Sequence, residues 1–252
     1  MREIGDRRGE AVAYGNLGVV FESLGQYHKA KEYLEKALAI RIQIGDKEGE
    51  AADYGSLGTV FKSLGEYHKA KEYLEKALAI RIQIGDKEGE AADYGNLGNV
   101  FTSLGQYDKA KKYLEKALAI RVQIGDKEGL ATDYGNLGSV FLSVCEYNKA
   151  KYYLEKALAI KIQIGDKQGE AICHGNLGIV FQFLGEYDKA KRSLKKALAI
   201  NIQTGDKQGE AVDYGELGTV FAALGEYDKA KEYLEKALAM KIQIGDNEGE
   251  AI

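Results

Sequence analysis

The chain contains no proline and no tryptophan, only two cysteines, and no apolar run longer than about five residues. Without some ~20 consecutive apolar residues it offers no membrane-spanning helix. Few cysteines and no Asn-x-Ser/Thr acceptor point to an intracellular, reducing compartment, and a cytoplasmic location is expected. The opening residues Met1-Arg2-Glu3-Ile4-Gly5-Asp6-Arg7-Arg8 carry no apolar stretch after their charges, so they do not read as a signal peptide. An excess of one charge is also lacking. Lys and Arg number 35 against 39 Asp and Glu, a net charge of −4, which argues against nucleic acid or an anionic membrane as the main partner. What the chain does have is 45% hydrophobic and 29% charged residues, a composition of folded proteins. It also has 31 glycines, which without proline suit neither collagen nor a linker.

The glycines are explained by an internal repeat. Residues 45–84 and 85–124 differ at 7 of 40 positions and align without a gap. The same phase fits 5–44, 125–164, 165–204 and 205–244, and residues 245–252 open a seventh, truncated unit. The chain 1–252 therefore reads as a single array of six units.

Each unit holds two helical patterns. In the second, Gly45-Asp46 supplies a helix stop and then an N-cap, after which Ala51, Tyr54, Leu57, Phe61 and Leu64 recur at helical spacing. Gly65 is placed to end that helix in the left-handed conformation. A second helix follows, carrying Ala70, Tyr73, Leu74, Ala77, Leu78, Ile80, Ile82 and Ile84. Ile80 and Ile84 extend one apolar stripe and Ile82 a second, so this helix is expected to be covered on two sides. Gly58 and its counterparts Gly18, Gly98, Gly138, Gly178 and Gly218 are expected to face Ala70-type residues and let the two helices approach closely.

At Tyr54-x-x-Leu57-Gly58-x-x-Phe61, followed by Ala70-x-x-x-Leu74 and Ala77, the unit resembles the tetratricopeptide repeat. An aromatic replaces the pattern's Trp, Leu its later Phe, and Ile82 stands where the pattern closes with Pro. The longer, 40-residue unit with its YGNLG and IGD segments is similar to the repeats of LGN/Pins-type adaptors. The resemblance implies an all-α fold: an α-solenoid of six helix-turn-helix units forming a right-handed superhelix, with a concave groove lined by the first helices.

Comparison of the units with one another separates packing from recognition. Leu57, Gly58, Val60, Phe61, Tyr67, Ala70 and Leu74 never change between units and read as packing positions. Four columns vary most. They are represented by Val12, Val19, Glu22 and Ser23, and offsets of 7, 10 and 11 residues from Val12 put them on one helix face. The resemblance makes that face the inner one. The candidate peptide groove is then Asn16, Val19, Ser56, Thr59, Lys62, Asn96, Asn99, Thr102, Asn136, Ser139, Leu142, Ile172, Asn176, Ile179, Gln182, Phe183, Val212 and Thr219. Its first half is polar, and its second half, with Ala222, is apolar. The Asn ladder suits the backbone of an extended peptide or, equally, bonds between neighbouring helices. Unconstrained drift of a duplicated surface is the other reading of the variable columns.

Chemistry has little support. Cys145 replaces a helix-ending glycine, which strains it if it keeps a positive φ, and its place in the repeat is too far from Cys173 for a disulfide. Cys173 and His174 are sequence neighbours that diverge by about 100° on a helix and form no dyad. His28 and His68 occupy the start of second helices as capping-region residues, and no phosphate loop or metal spacing stands out. No catalysis, cofactor or metal is expected. The leading reading is a non-catalytic scaffold that binds an extended or helical peptide, and the alternative is a structural or consensus-like array with no dedicated ligand. The fifth unit departs most from the others, and neither end carries a polar cap, so end-to-end self-association is also expected.

Overall fold

The computed structural model describes the backbone of residues 2–250 and the side chains of residues 7–245. Its first compact unit, Met1–Asp126, holds α1 (Arg2–Ser23), α2 (Tyr27–Ile44), α3 (Lys47–Ser63), α4 (Tyr67–Ile84), α5 (Lys87–Ser103) and α6 (Tyr107–Ile124). The second, Lys127–Ile252, holds α7 (Lys127–Ser143), α8 (Tyr147–Ile164), α9 (Lys167–Phe183), α10 (Tyr187–Thr204), α11 (Lys207–Ala223) and α12 (Tyr227–Glu250). Among the described residues there are twelve helices and no strand, paired as six helix-turn-helix repeats. Within each unit, an even-numbered helix packs on the odd-numbered helices before and after it.

The Gly-Asp dipeptide makes the link between repeats. Gly45 adopts φ 72° and closes α2 with its amide donating to the Ile42 carbonyl, while the Asp46 amide donates to the Arg41 carbonyl. Asp46 then caps α3 by accepting from the Gly49 amide at 3.1 Å. One dipeptide thus satisfies orphan groups at both helix ends. Within α1 and α12 the same dipeptide, at Gly5-Asp6 and Gly245-Asp246, lies inside a continuous helix, as glycine's freedom allows. The expectation that neither end carries a polar cap involves side chains of residues 1–6 and 246–252, which lie outside the described residues.

Inside a repeat, the core is most of the set of positions that never change; Tyr67, expected to pack, is only half-buried. Leu57, Val60, Ala70 and Leu74 are fully buried, and Phe61 is 2% exposed. Gly58 meets Leu74 more than Ala70: a methyl there would lie 2.5 Å from Leu74 Cγ, against 3.4 Å from the Ala70 carbonyl oxygen. Leu74 fills the notch that the missing side chain leaves. The two-sided cover expected of the second helix stops at Leu78. Ile82 is 50% and Ile84 41% exposed, one on each of the two stripes.

Each repeat but one also carries an aromatic trio. In the second, Tyr73 lies 5.8 Å from Tyr54 and 4.9 Å from Phe61, ring centre to ring centre. The fifth repeat has His174 and Ser193 in those places, and the buried His174 Nδ1 has no hydrogen-bond partner. Two lost rings are worth about 1–3 kcal/mol each where buried. Amide exchange in α9 and α10 is therefore expected to be at least tenfold faster than in α3 and α4. Equal protection would show that the trio contributes nothing local.

Candidate functional site

The odd-numbered helices present two things on adjoining faces: a buried charge and a variable surface. The buried charge comes from the even helices. Arg41 leaves the end of α2, passes over Gly49 and reaches Asp53, with its Nε 3.1 Å from the Asp53 Oδ2. A methyl at Gly49 would lie 2.4 Å from Arg41 Nη1, and one at Gly15 would lie 3.1 Å from Nη2. The two glycines therefore wall a channel for the guanidinium. Arg81 repeats the arrangement between Gly55 and Gly89, with its Nε 3.1 Å from the Asp93 Oδ2. In the second unit the series changes. The arginine position is Lys161, which donates to Asp166 at 2.6 Å while Cys173 takes the aspartate's place, and then Asn201, which donates to Asp213 at 2.7 Å. This network was not singled out from the sequence. The signal was present as Arg41/Asp53 and Arg81/Asp93, each twelve residues apart.

The variable columns do lie together within each compact unit. In the first, Thr59 donates to Glu22 on α1 at 2.7 Å, which joins two of the variable columns across neighbouring repeats. Asn16 and Val19 are exposed, while Ser56, Lys62, Asn96, Asn99 and Thr102 are half-buried. In the second unit Gln182 donates to Glu216 at 3.1 Å. Several hydroxyls are turned inward on their own helix. Thr102 donates to the Gly98 carbonyl, Ser139 to that of Gly135 and Thr219 to that of Gly215, so they offer a ligand less than their position suggests. Asn136 and Asn176 form no hydrogen bond among the described residues and remain available. Phe183, 60% exposed, stacks on Tyr147 of α8 with ring centres 4.9 Å apart and planes 2° from parallel. It belongs to the rim of the surface, against the preceding repeat.

Two cavities open between successive odd helices of the second unit. One, of about 310 Å³, is lined by Thr132, Asn136 and Ser139 of α7, Lys161 of α8, and Ile172 and Asn176 of α9. The other, of about 270 Å³, lies between Ile172, Asn176 and Ile179 of α9 and Val212 and Glu216 of α11, with Asn201 and Asp213 at its base. Ile172, 58% exposed, borders both. Of the side chains expected to form the apolar half of the groove, Ile172, Phe183 and Val212 are exposed and Leu142 and Ile179 half-buried.

The tetratricopeptide repeat family model matches residues 3–83, 90–163 and 169–243. The chain belongs to the tetratricopeptide repeat family. No curated protein matches it significantly. Among solved structures it is similar to BtubC (BKLC) from P. vanneervenii, at 22% identity and TM-score 0.72, over 88% of this chain and 90% of that one. It is also similar to a Podosopora anserina putative kinesin light chain with nearly identical TPR-like repeats, at 21% identity and TM-score 0.64, over 79% and 98% of the two chains. A Rap protein complexed with competence and sporulation factor matches at 16% identity and TM-score 0.70, over 94% of this chain and 76% of that one. At these identities the likeness is one of fold.

Electrostatics distinguishes the tetratricopeptide repeats from one another. Burial raises Asp53 and Asp93 to about 7, against the pull of Arg41 and Arg81. Asp213 is also raised to about 7, by burial, with only the Asn201 amide opposing and Asp206 and Glu216 adding to the rise. The Cys173 thiol is pushed up to about 11 by burial, which makes it a poor nucleophile. Cys145 is the one non-glycine with positive φ among the described residues, at 60°, and both thiols are free. No group of three or more His, Cys, Asp or Glu among the described residues is placed to hold a metal, and no helix there is long and apolar enough to cross a membrane.

The Asp213 shift has a definite sign. Its folded-state pKa lies above the unfolded value of 3.8, so its contribution to stability is full below pH 4 and is lost as pH rises through about 7. Asp213→Asn should match the parent near pH 4 and exceed it by about 2 kcal/mol at pH 8 in urea unfolding. A difference that does not change with pH would contradict this.

Proposed function

We propose that the chain is a non-catalytic scaffold that binds a peptide segment of a partner protein along the variable face of its odd-numbered helices. The observation that carries the reading is the set of exposed apolar side chains on this face: Ile172 at 58% and Val212 at 48% exposed border open cavities between α7, α9 and α11, and Phe183 at 60% lies on the rim beside Tyr147. Apolar groups are left open there while the same helices bury the counterparts of Leu57, Gly58, Val60 and Phe61. Free amides at Asn136 and Asn176 beside them suit a peptide backbone. Apolar anchors of the ligand belong against the last three repeats and its polar groups against the first three. The near-neutral charge favours protein over nucleic acid or membrane as partner. The small number of cysteines supports a cytoplasmic location, and the 40-residue unit with its IGD junctions supports kinship with LGN/Pins-type adaptors.

Peptides selected from a random displayed library against the full chain test this reading, with their footprints mapped by amide shifts. Shifts clustered on the odd helices support it. Shifts on the charged outer face of the even helices, or no enriched peptide, would overturn it.

End-to-end self-association belongs to the same proposal. Leu238 is 60% and Ile242 55% exposed on α12, and Leu17 41% and Val20 53% on α1, whereas Leu57 and Val60 are fully buried. Light scattering should show a mass that rises with concentration and stays monomeric in Leu238→Glu. A constant monomer mass for the parent chain would exclude it.

A further inference from the structure

The base of the cavity between α9, α10 and α11 departs from its counterparts in one respect. Where α2 and α4 send a guanidinium past the glycine wall to a buried aspartate, α10 has only Asn201, whose amide ends at Asp213 Oδ2, 2.7 Å away. The vacated volume is visible at the glycines. The methyl position at Gly15 lies 3.1 Å from Arg41 Nη2 and 3.5 Å from Asp53 Oδ1, and that at Gly55 lies 3.2 Å from Arg81 Nη2 and 3.4 Å from Asp93 Oδ1. At Gly175 the aspartate oxygen is still present, Asp213 Oδ1 at 3.6 Å, and the guanidinium nitrogen is gone. A cavity of about 270 Å³ opens at that place.

Its lining has one sign of charge. Asp206, Asp213 and Glu216 face it, with Asn176, Asn201 and Gln208, and no Lys or Arg lines it. Asp206 and Glu216 are committed in part: Asp206 accepts from the Gly209 amide and Gln168, and Glu216 accepts from Gln182. Asp213 is different. It is 4% exposed, accepts only from the neutral Asn201, and has no cation partner among the described residues. Ile172, Ile179, Val212 and Leu194 complete the walls with apolar surface, which suits the methylene stem of a long basic side chain.

We propose that this cavity is a subsite for an arginine side chain of the bound partner, which supplies in trans the guanidinium that Arg41 and Arg81 supply in cis. Arginine fits better than lysine because the vacated position is that of a planar fork seated beside a carboxylate, as in the earlier repeats. The cavity opens on the variable face between Ile172 and Val212, so the inference rests on the proposed groove and gives one residue of its ligand a chemical identity.

The test uses the full chain, labelled with ¹⁵N, and single-residue probes: N-acetyl-arginine methylamide and the uncharged N-acetyl-citrulline methylamide. The arginine probe is expected to produce saturable shifts at Gly175, Gly209 and the Asn201 side-chain amide, at least tenfold tighter than citrulline. Asn201→Arg rebuilds the arrangement of the earlier repeats and should fill the site from within and abolish probe binding. Asp213→Asn should weaken it at least tenfold, and it keeps the proposal falsifiable if the arginine variant fails to fold. Equal shifts from both probes, or undiminished binding to a folded variant, would overturn the subsite. Because the probes carry no apolar anchor, their failure leaves the groove reading standing. Failure of selected peptides to map to the odd helices would remove that reading whatever the probes do.

Discussion

Asp93→Ala is expected to lower stability by about 3 kcal/mol. Asp93 is 1% exposed, and Arg81 is held against it between Gly55 and Gly89. Removing the carboxylate strands a guanidinium that has been taken out of water, which costs about 3–5 kcal/mol in buried pairs. Asp86, 3.8 Å from Arg81 Nη1, remains as a weaker partner and keeps the effect toward the lower end. The apolar double replacement Arg81→Met/Asp93→Leu should recover most of the loss, since the pair offsets its own desolvation only partly. Asp53→Ala should behave like Asp93→Ala, because Arg41 meets Asp53 at the same 3.1 Å. The measurement is the first transition in urea unfolding, since repeat arrays need not unfold in one step. A loss under 0.5 kcal/mol for Asp93→Ala would mean that the pair is solvated in solution and that the glycine channel is open to water.

The repeat, the helix pairs and their junctions were legible in the sequence because they are written in local chemistry. Gly45-Asp46 is both a left-handed stop and an N-cap, and nothing distant is needed to see that. The unvarying Leu57, Val60, Phe61 and Leu74 are the core because each inner repeat meets the same neighbours. What could not be read was where side chains go once two helices meet. Ile82 and Ile84 continue an apolar pattern, yet both are exposed at the end of α4. The Arg81–Asp93 pair spans two helices, so it shows in the sequence only as a repeated twelve-residue offset and not in the periodicity of one helix. The face shared by Ile172, Ile179 and Val212 followed from helical offsets alone. The turning of Thr102, Ser139 and Thr219 to their own backbones did not, because a hydroxyl's choice between ligand and carbonyl is decided by rotamer. Nor did the stacking of Phe183 on Tyr147, whose column offers an aromatic partner only through the packing of α8 against α9.

The central claim is that the variable face of the odd helices binds a peptide through its apolar members. Ile172 borders both cavities of the second unit, and Phe183 closes the rim on Tyr147. Both are more than half exposed, so Asp at either position should leave the core intact. The only folded-state loss expected is the Phe183 ring stack, about 0.5–1.5 kcal/mol. A bound peptide would bury these side chains, and a carboxylate there would be desolvated without a partner, which adds to the loss of apolar contact. The decisive measurement is the affinity of a selected peptide for the parent chain, Ile172→Asp and Phe183→Asp, with circular dichroism recorded on each. The account predicts at least a thirtyfold loss of affinity in both variants with unchanged helicity. Unchanged affinity in both folded variants would contradict it.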